Sequence, residues 1–168
     1  MSSGKHIPDP GFPGDDGAAD PAVRAALADY GADPGSPGAH RQALAGLQSA
    51  RLLVPVVAVL GESEVDEAGL RHDKTSDMAA VLMRGRDGRQ ALLAFTGSDS
   101  LQTWDAEARP VPVTAVQAAQ AARADGADAL LVDVAGPVLF VVEGEDLTAL
   151  AEGWVLTRLE DRWGWVRA

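Results

Sequence analysis

Residues 91–105, ALLAFTGSDSLQTWD, constrain the fold more than any other stretch of the chain. An apolar run of strand length ends in the small polar turn Thr96-Gly97-Ser98, and a short helix follows that finishes at Trp104. Short unbroken apolar runs bounded by turn residues are the pattern of strands buried on both faces. Downstream, ALLVDVAGPVLFVVEG holds two more such runs, residues 129–134 and 138–142, split by Ala135, Gly136 and Pro137. A gap of turn length predicts a hairpin. The expected fold class is α+β, a mixed β-sheet with helices packed against it.

The remaining elements follow from local punctuation. Asp20-Pro21 and Ser36-Pro37 pair an N-cap with proline at the first helical position. The first helix carries Val23, Leu27 and Tyr30 at helical spacing and closes at Gly31; the second carries Leu44 and Leu47 and ends near Ser49. Residues 51–60, RLLVPVVAVL, read as a strand whose Pro55 predicts an edge or a bulge. Residues 78–84 and 90–96 read as a hairpin turned by Asp87-Gly88. Asp99 with Gln102, and Thr114 with Gln117, have capping-box spacing. Between those two helices, residues 111–113 make a short strand at most, punctuated by Pro110 and Pro112. A last helix spans about 145–152, with Leu147 and Leu150 inward, and a hairpin turns near Glu160-Asp161.

Three units are expected. Residues 1–19, rich in Pro, Gly and Asp, bury too little apolar surface to offset ordering entropy and form a flexible or surface-draped segment. Residues 20–152 form the α/β body. Residues 153–168 form a Trp-rich extension holding three of the four tryptophans, with balanced charge in an otherwise acidic chain.

Composition narrows the function. The formal charge is −11, from 14 Lys+Arg against 25 Asp+Glu, and no basic patch offsets it, so nucleic acid and anionic membranes are not expected partners. No apolar run reaches the roughly 20 residues of a membrane span, and residues 1–16 lack the apolar centre of a secretory signal. With no cysteine, thiolate catalysis and disulfides are out, in keeping with a cytoplasmic location.

No catalytic constellation, resident metal or cofactor is expected. Ser98 lies at a strand-to-helix turn, but the G-x-S-x-G elbow is absent and none of the three histidines has a supporting motif. His72-Asp73 with Glu62, Glu64, Asp66 and Glu67 reads as a solvated acidic loop, because neither the calcium-loop nor the H-E-x-x-H spacing is present. His40 reads as a surface residue of a capped helix. Asp133, at the end of an apolar strand, has two readings: a cap on the following turn, or a buried carboxylate that requires donors. Thr96, Ser98 and Asp133 are therefore the candidate small-ligand residues. Trp154, Trp163 and Trp165 are the candidate partner-binding residues; alternation about Gly164 puts the last two on one strand face.

LLVPVV, LLAFTGSDSLQTW, ALLVDVAGP and EDLTALAEGW, in this order and spacing, resemble the N-terminal domain of the SseB family, in the form found in high-GC Gram-positive bacteria. Val54-Pro55, Phe95-Thr96 and Trp104 match the family's pattern. Gly97-Ser98 stands where a single serine is common, and residues 133–137, DVAGP, where Asn-Pro-Gly is common. The resemblance implies an SseB-like α/β domain and brings no catalytic residues with it. The reading that follows is a non-enzymatic cytoplasmic interaction module with a protein partner or self-association. The alternatives are a small-ligand (amino acid or nucleotide) sensor or enzyme at Thr96, Ser98 and Asp133, and a component of a secretion-type assembly.

Overall fold

The computed structural model of the chain describes residues 11–59 and 77–168. In chain order they form α1 (Pro21–Ala32), α2 (Pro37–Leu47), β1 (Arg51–Val59), β2 (Asp77–Ala80), β3 (Leu82–Arg84) and β4 (Gln90–Ala94). Then come α3 (Ser98–Trp104), β5 (Arg109–Thr114), α4 (Ala115–Ala124), β6 (Ala129–Val132), β7 (Phe140–Glu143), α5 (Gly144–Ala151), β8 (Val155–Leu159) and β9 (Arg162–Val166). The class is α+β.

Most helix ends follow the residues that signal them. Asp20 accepts from the Ala22 amide at 2.8 Å and Ser36 from the Ala39 amide at 3.4 Å, each just before a proline. Thr114 and Gln117 complete a reciprocal capping box on α4. The box expected from Asp99 and Gln102 does not form. The N-cap of α3 is Gly97, which has no side chain to bond, and Asp99 lies inside the helix with its carboxylate held by Arg24. Helix α1 runs one residue past Gly31, whose lack of a side chain serves packing: a Cβ there would lie 3.0 Å from a Val138 methyl.

Two strand expectations need correction. Residues 78–84 are not one strand of one hairpin. They divide at Val81 into β2, antiparallel to β1, and β3, antiparallel to β4. Val81 makes the transfer, its N–H donating to Pro55 and its carbonyl accepting from Leu93, both at 3.2 Å. Nor is β1 an edge strand, since it lies between β2 and β5. Pro55 is tolerated there because its nitrogen falls where the neighbour of β1 changes from Phe95, which exchanges two bonds with Leu53, to Val81. Strand β5 is also longer than expected. Pro110 and Pro112 face Pro55 and Leu53, residues whose own backbone groups point away from β5, so no ladder donor is lost.

A second sheet, ordered β3-β4-β6-β7, has β4 and β6 parallel and the expected hairpin between β6 and β7. One face of the sheets packs beneath α1, α2, α4 and α5, burying Leu27, Leu44, Leu47, Leu52, Leu92, Leu130, Phe140 and Leu150. On the other face α3 covers a smaller cluster of Leu53, Leu93, Phe95 and Leu101, with Trp104 packed against it. Strand β8 pairs with β9 through the Glu160-Asp161 turn, where Glu160 has φ 54°. His40 is half-buried rather than a surface residue. It stacks on Phe140 at 4.9 Å and meets the Tyr30 ring at 5.8 Å.

Candidate functional site

Strands β4 and β6 run parallel with Ala94 beside Val132, so their carboxyl ends bring Thr96 and Asp133 together. This is where open α/β sheets place sites. The Asp133 side chain is wholly buried, yet it does not cap its own turn. One oxygen accepts from the Thr96 amide at 2.9 Å and the other from the Thr96 hydroxyl at 2.7 Å. The turn is closed by backbone instead, Gly136 donating to the Asp133 carbonyl at 2.9 Å. Asp133 holds φ 53°, a conformation that aspartate tolerates better than most residues.

Arg24, in the first turns of α1, completes the junction. Its Nε donates to the Thr96 hydroxyl at 2.8 Å and lies 3.9 Å from Asp133, while its two terminal nitrogens grip Asp99 at 2.7 and 2.9 Å. The hydrogen bond from Arg24 is the main reason the Asp99 carboxyl lies below its ordinary range, and Asp99 in turn raises Arg24 above its usual value. Arg51 braces the same turn. It donates to the Thr96 carbonyl at 3.1 Å and the Ala18 carbonyl at 2.7 Å, and pairs with Asp15 at 2.8 Å. Residues 15–18 are thereby tied across the strand ends, where Gly17 also accepts from the Ser98 amide at 2.8 Å.

Ser98 is half-buried beside Gly17, at the start of a seven-residue helix. Among the described residues no imidazole bonds to the cluster. A concavity of about 350 Å³ opens beside Arg24, Ser98 and Asp99, and the Arg24 nitrogens on its wall are already engaged by Thr96 and Asp99. What the arrangement does chemically is join two strand ends to α1 and to residues 15–18.

Neither arginine was singled out in the sequence, because Arg24 lies 72 residues from Thr96 and Arg51 lies 45 away. The one available signal was charge balance. A carboxylate buried in an apolar strand requires a cation or several donors, and Arg24 stands next to Val23, a core position of α1.

The tryptophans form a second region. Trp163 and Trp165 share the inner face of the β8–β9 hairpin and pack against the main core, opposite Arg158 and Leu156. Gln48 clasps the backbone of Leu156 from both sides, accepting from its N–H at 2.7 Å and donating to its carbonyl at 2.8 Å. Asp146 accepts from the Trp165 indole at 3.0 Å and from Arg41 at 2.7 Å. The hairpin therefore folds back onto its own chain. Trp154 stands before β8, half-buried, with the Arg167 guanidinium 5.1 Å from its ring centre. On the outer face Val155, Leu159 and Val166 remain exposed.

Among the described residues no group of three or more His, Asp or Glu side chains could hold a metal ion, and no helix is long and apolar enough to cross a membrane. The acidic stretch with His72 and Asp73 lies outside the described residues.

Fold and junction together define an α+β domain with its strand-end polar cluster bonded within the chain. The chain belongs to the SseB family: the SseB protein N-terminal domain matches residues 23–149, from α1 into α5. No curated protein and no solved structure matches it.

Proposed function

We propose that the protein is a non-enzymatic, cytoplasmic interaction module working through the surface that the C-terminal hairpin makes with α5. One contrast carries this reading. The side chains best suited to hold a small ligand, Thr96 and Asp133, are buried and bonded to each other and to Arg24. The C-terminal segment, by contrast, presents the half-buried Trp154 and Trp165 to the groove beside α5 and leaves Val155, Leu159 and Val166 exposed on the outer face of the hairpin. Exposed apolar and aromatic side chains are the raw material of protein interfaces. The net charge of −11 favours a neutral or basic protein partner, or a second copy meeting at the charge-balanced hairpin, over a polyanion.

Two measurements test it. Sedimentation velocity over a wide concentration range should show self-association that the combined Val155→Thr, Leu159→Thr and Val166→Thr changes weaken. A thermal-shift screen of amino acids and nucleotides addresses the sensor alternative, since a ligand specific for the native state raises the melting temperature. A saturable shift that Ser98→Ala removes would overturn the interaction reading.

A further inference from the structure

We propose that the groove between α5 and the C-terminal hairpin docks an arginine-bearing segment of a basic protein partner, an inference that rests on the interaction reading above. The groove has a volume of about 510 Å³, with Trp154 and Trp165 as aromatic walls, Thr148 and Ala149 between them, and Glu145 and Glu152 along its helical side. Trp165 is held in place by its bond to Asp146, so that wall is preformed. Small side chains on α5 leave room for a chain laid along the helix.

Three features select a cation at the Trp154 end. Helix α5 terminates there, with Glu152 as its C-cap and Trp154 donating back to the Ala149 carbonyl at 3.0 Å. A helix C-terminus carries the negative end of the peptide dipole and attracts a positive group. Glu152 is exposed, and its pairing with Arg123 is at 4.0 Å, a loose contact that an incoming charge can replace. The indole of Trp154 attracts cations over its face and already has the guanidinium of Arg167 over it. The chain's own arginine thus demonstrates the contact. Arginine suits the seat better than lysine because its planar head stacks on the indole while its edge donates to a carboxylate. The stem and an apolar neighbour would lie over Thr148 and Ala149 against Trp165. The overall negative charge adds attraction and orientation for a basic partner.

The probe is a fluorescently labelled peptide, acetyl-Gly-Arg-Leu-Arg-Gly-amide, titrated into the full chain by anisotropy in about 0.15 M salt, where long-range attraction is largely screened. Saturable binding is expected, weakened roughly tenfold by Trp154→Ala and about fivefold by Glu152→Gln. Trp154→Phe should retain most of the affinity, which keeps the test sound if the alanine variant folds poorly. Arg167→Ala should tighten binding, since it removes a competitor for the same ring. The lysine peptide should bind more weakly than the arginine one.

The inference is overturned if binding does not saturate, or if Asp105→Asn, beyond α3 on the other face of the sheet, weakens it as much as Glu152→Gln. Loss of binding in Arg167→Ala would also overturn it. Absent peptide binding with intact hairpin-dependent self-association would sink this inference alone, whereas a Ser98-dependent metabolite shift would sink the interaction reading beneath it.

Discussion

At Asp133 a single carboxylate satisfies the Thr96 amide, the Thr96 hydroxyl and, through that hydroxyl, the Nε of Arg24. Asp133→Ala removes the acceptor and leaves buried donors beside a cation, a change that costs about 3 kcal/mol. Asp133→Asn keeps one acceptor and a residue at ease in the left-handed region, so its loss should be less than half as large. Urea midpoints at unchanged slope measure both; equal losses would mean that the charge, rather than the bond geometry, holds the junction. Asp99 adds a pH dependence. Its carboxyl is held below the ordinary value, first by the hydrogen bond from Arg24. A lowered folded-state pKa gives stability that is complete above the unfolded value, near pH 4, and lost as pH falls through the folded one. Its side chain is 68% exposed, so the effect is modest. Asp99→Asn should flatten the acid limb of a stability–pH curve below about pH 4 and cost less than about 1 kcal/mol at neutrality.

Gln48 plays for the hairpin the part that Asp133 plays for the strands, since one side chain at the C-cap of α2 closes two backbone bonds of Leu156 in β8. Gln48→Ala should lower hydrogen-exchange protection at Leu156 and across β8 and β9 while leaving α4 and β6 unchanged, because local opening follows the bonds that are lost. Equal loss of protection in β6 would show that β8 and β9 exchange only through global unfolding, with no local opening of their own. Elements were legible in the sequence wherever a residue acts on its chain neighbours. Asp20, Ser36 and Thr114 cap their helices as their spacing implies, and Asp87-Gly88 and residues 135–137 make their turns. The readings that failed involve partners distant in sequence. Asp99 has the spacing of a cap but meets Arg24, 75 residues away. Val81 lies within a continuous apolar run yet divides it between two neighbours, and Pro55 is accommodated only because those neighbours change beside it. The candidate site shares this limit. Thr96 and Asp133 stood out as polar residues ending apolar strands, whereas the arginines that neutralise and brace them carry no local mark.

For the whole molecule, the question is whether the two faces of the sheet and the hairpin unfold together. The Leu53–Phe95 bridge joins β1 to β4, so the three- and four-stranded sheets share backbone bonds, and both residues belong to the smaller cluster under α3. The hairpin is tied to the larger core through Leu156, Trp163 and Trp165. With every layer sharing residues or bonds with the next, unfolding should be a single cooperative transition. Tryptophan placement makes this measurable. In Trp104→Phe the remaining indoles all lie on the C-terminal side of α5, so fluorescence then reports the hairpin while far-UV circular dichroism reports helices and sheets throughout. The two urea curves should superimpose. A fluorescence midpoint at lower urea would identify the hairpin as a separately stable layer that opens before the body. A docking surface built from Trp154 and Trp165 would then be lost under mild destabilisation while the family domain, residues 23–149, stayed folded.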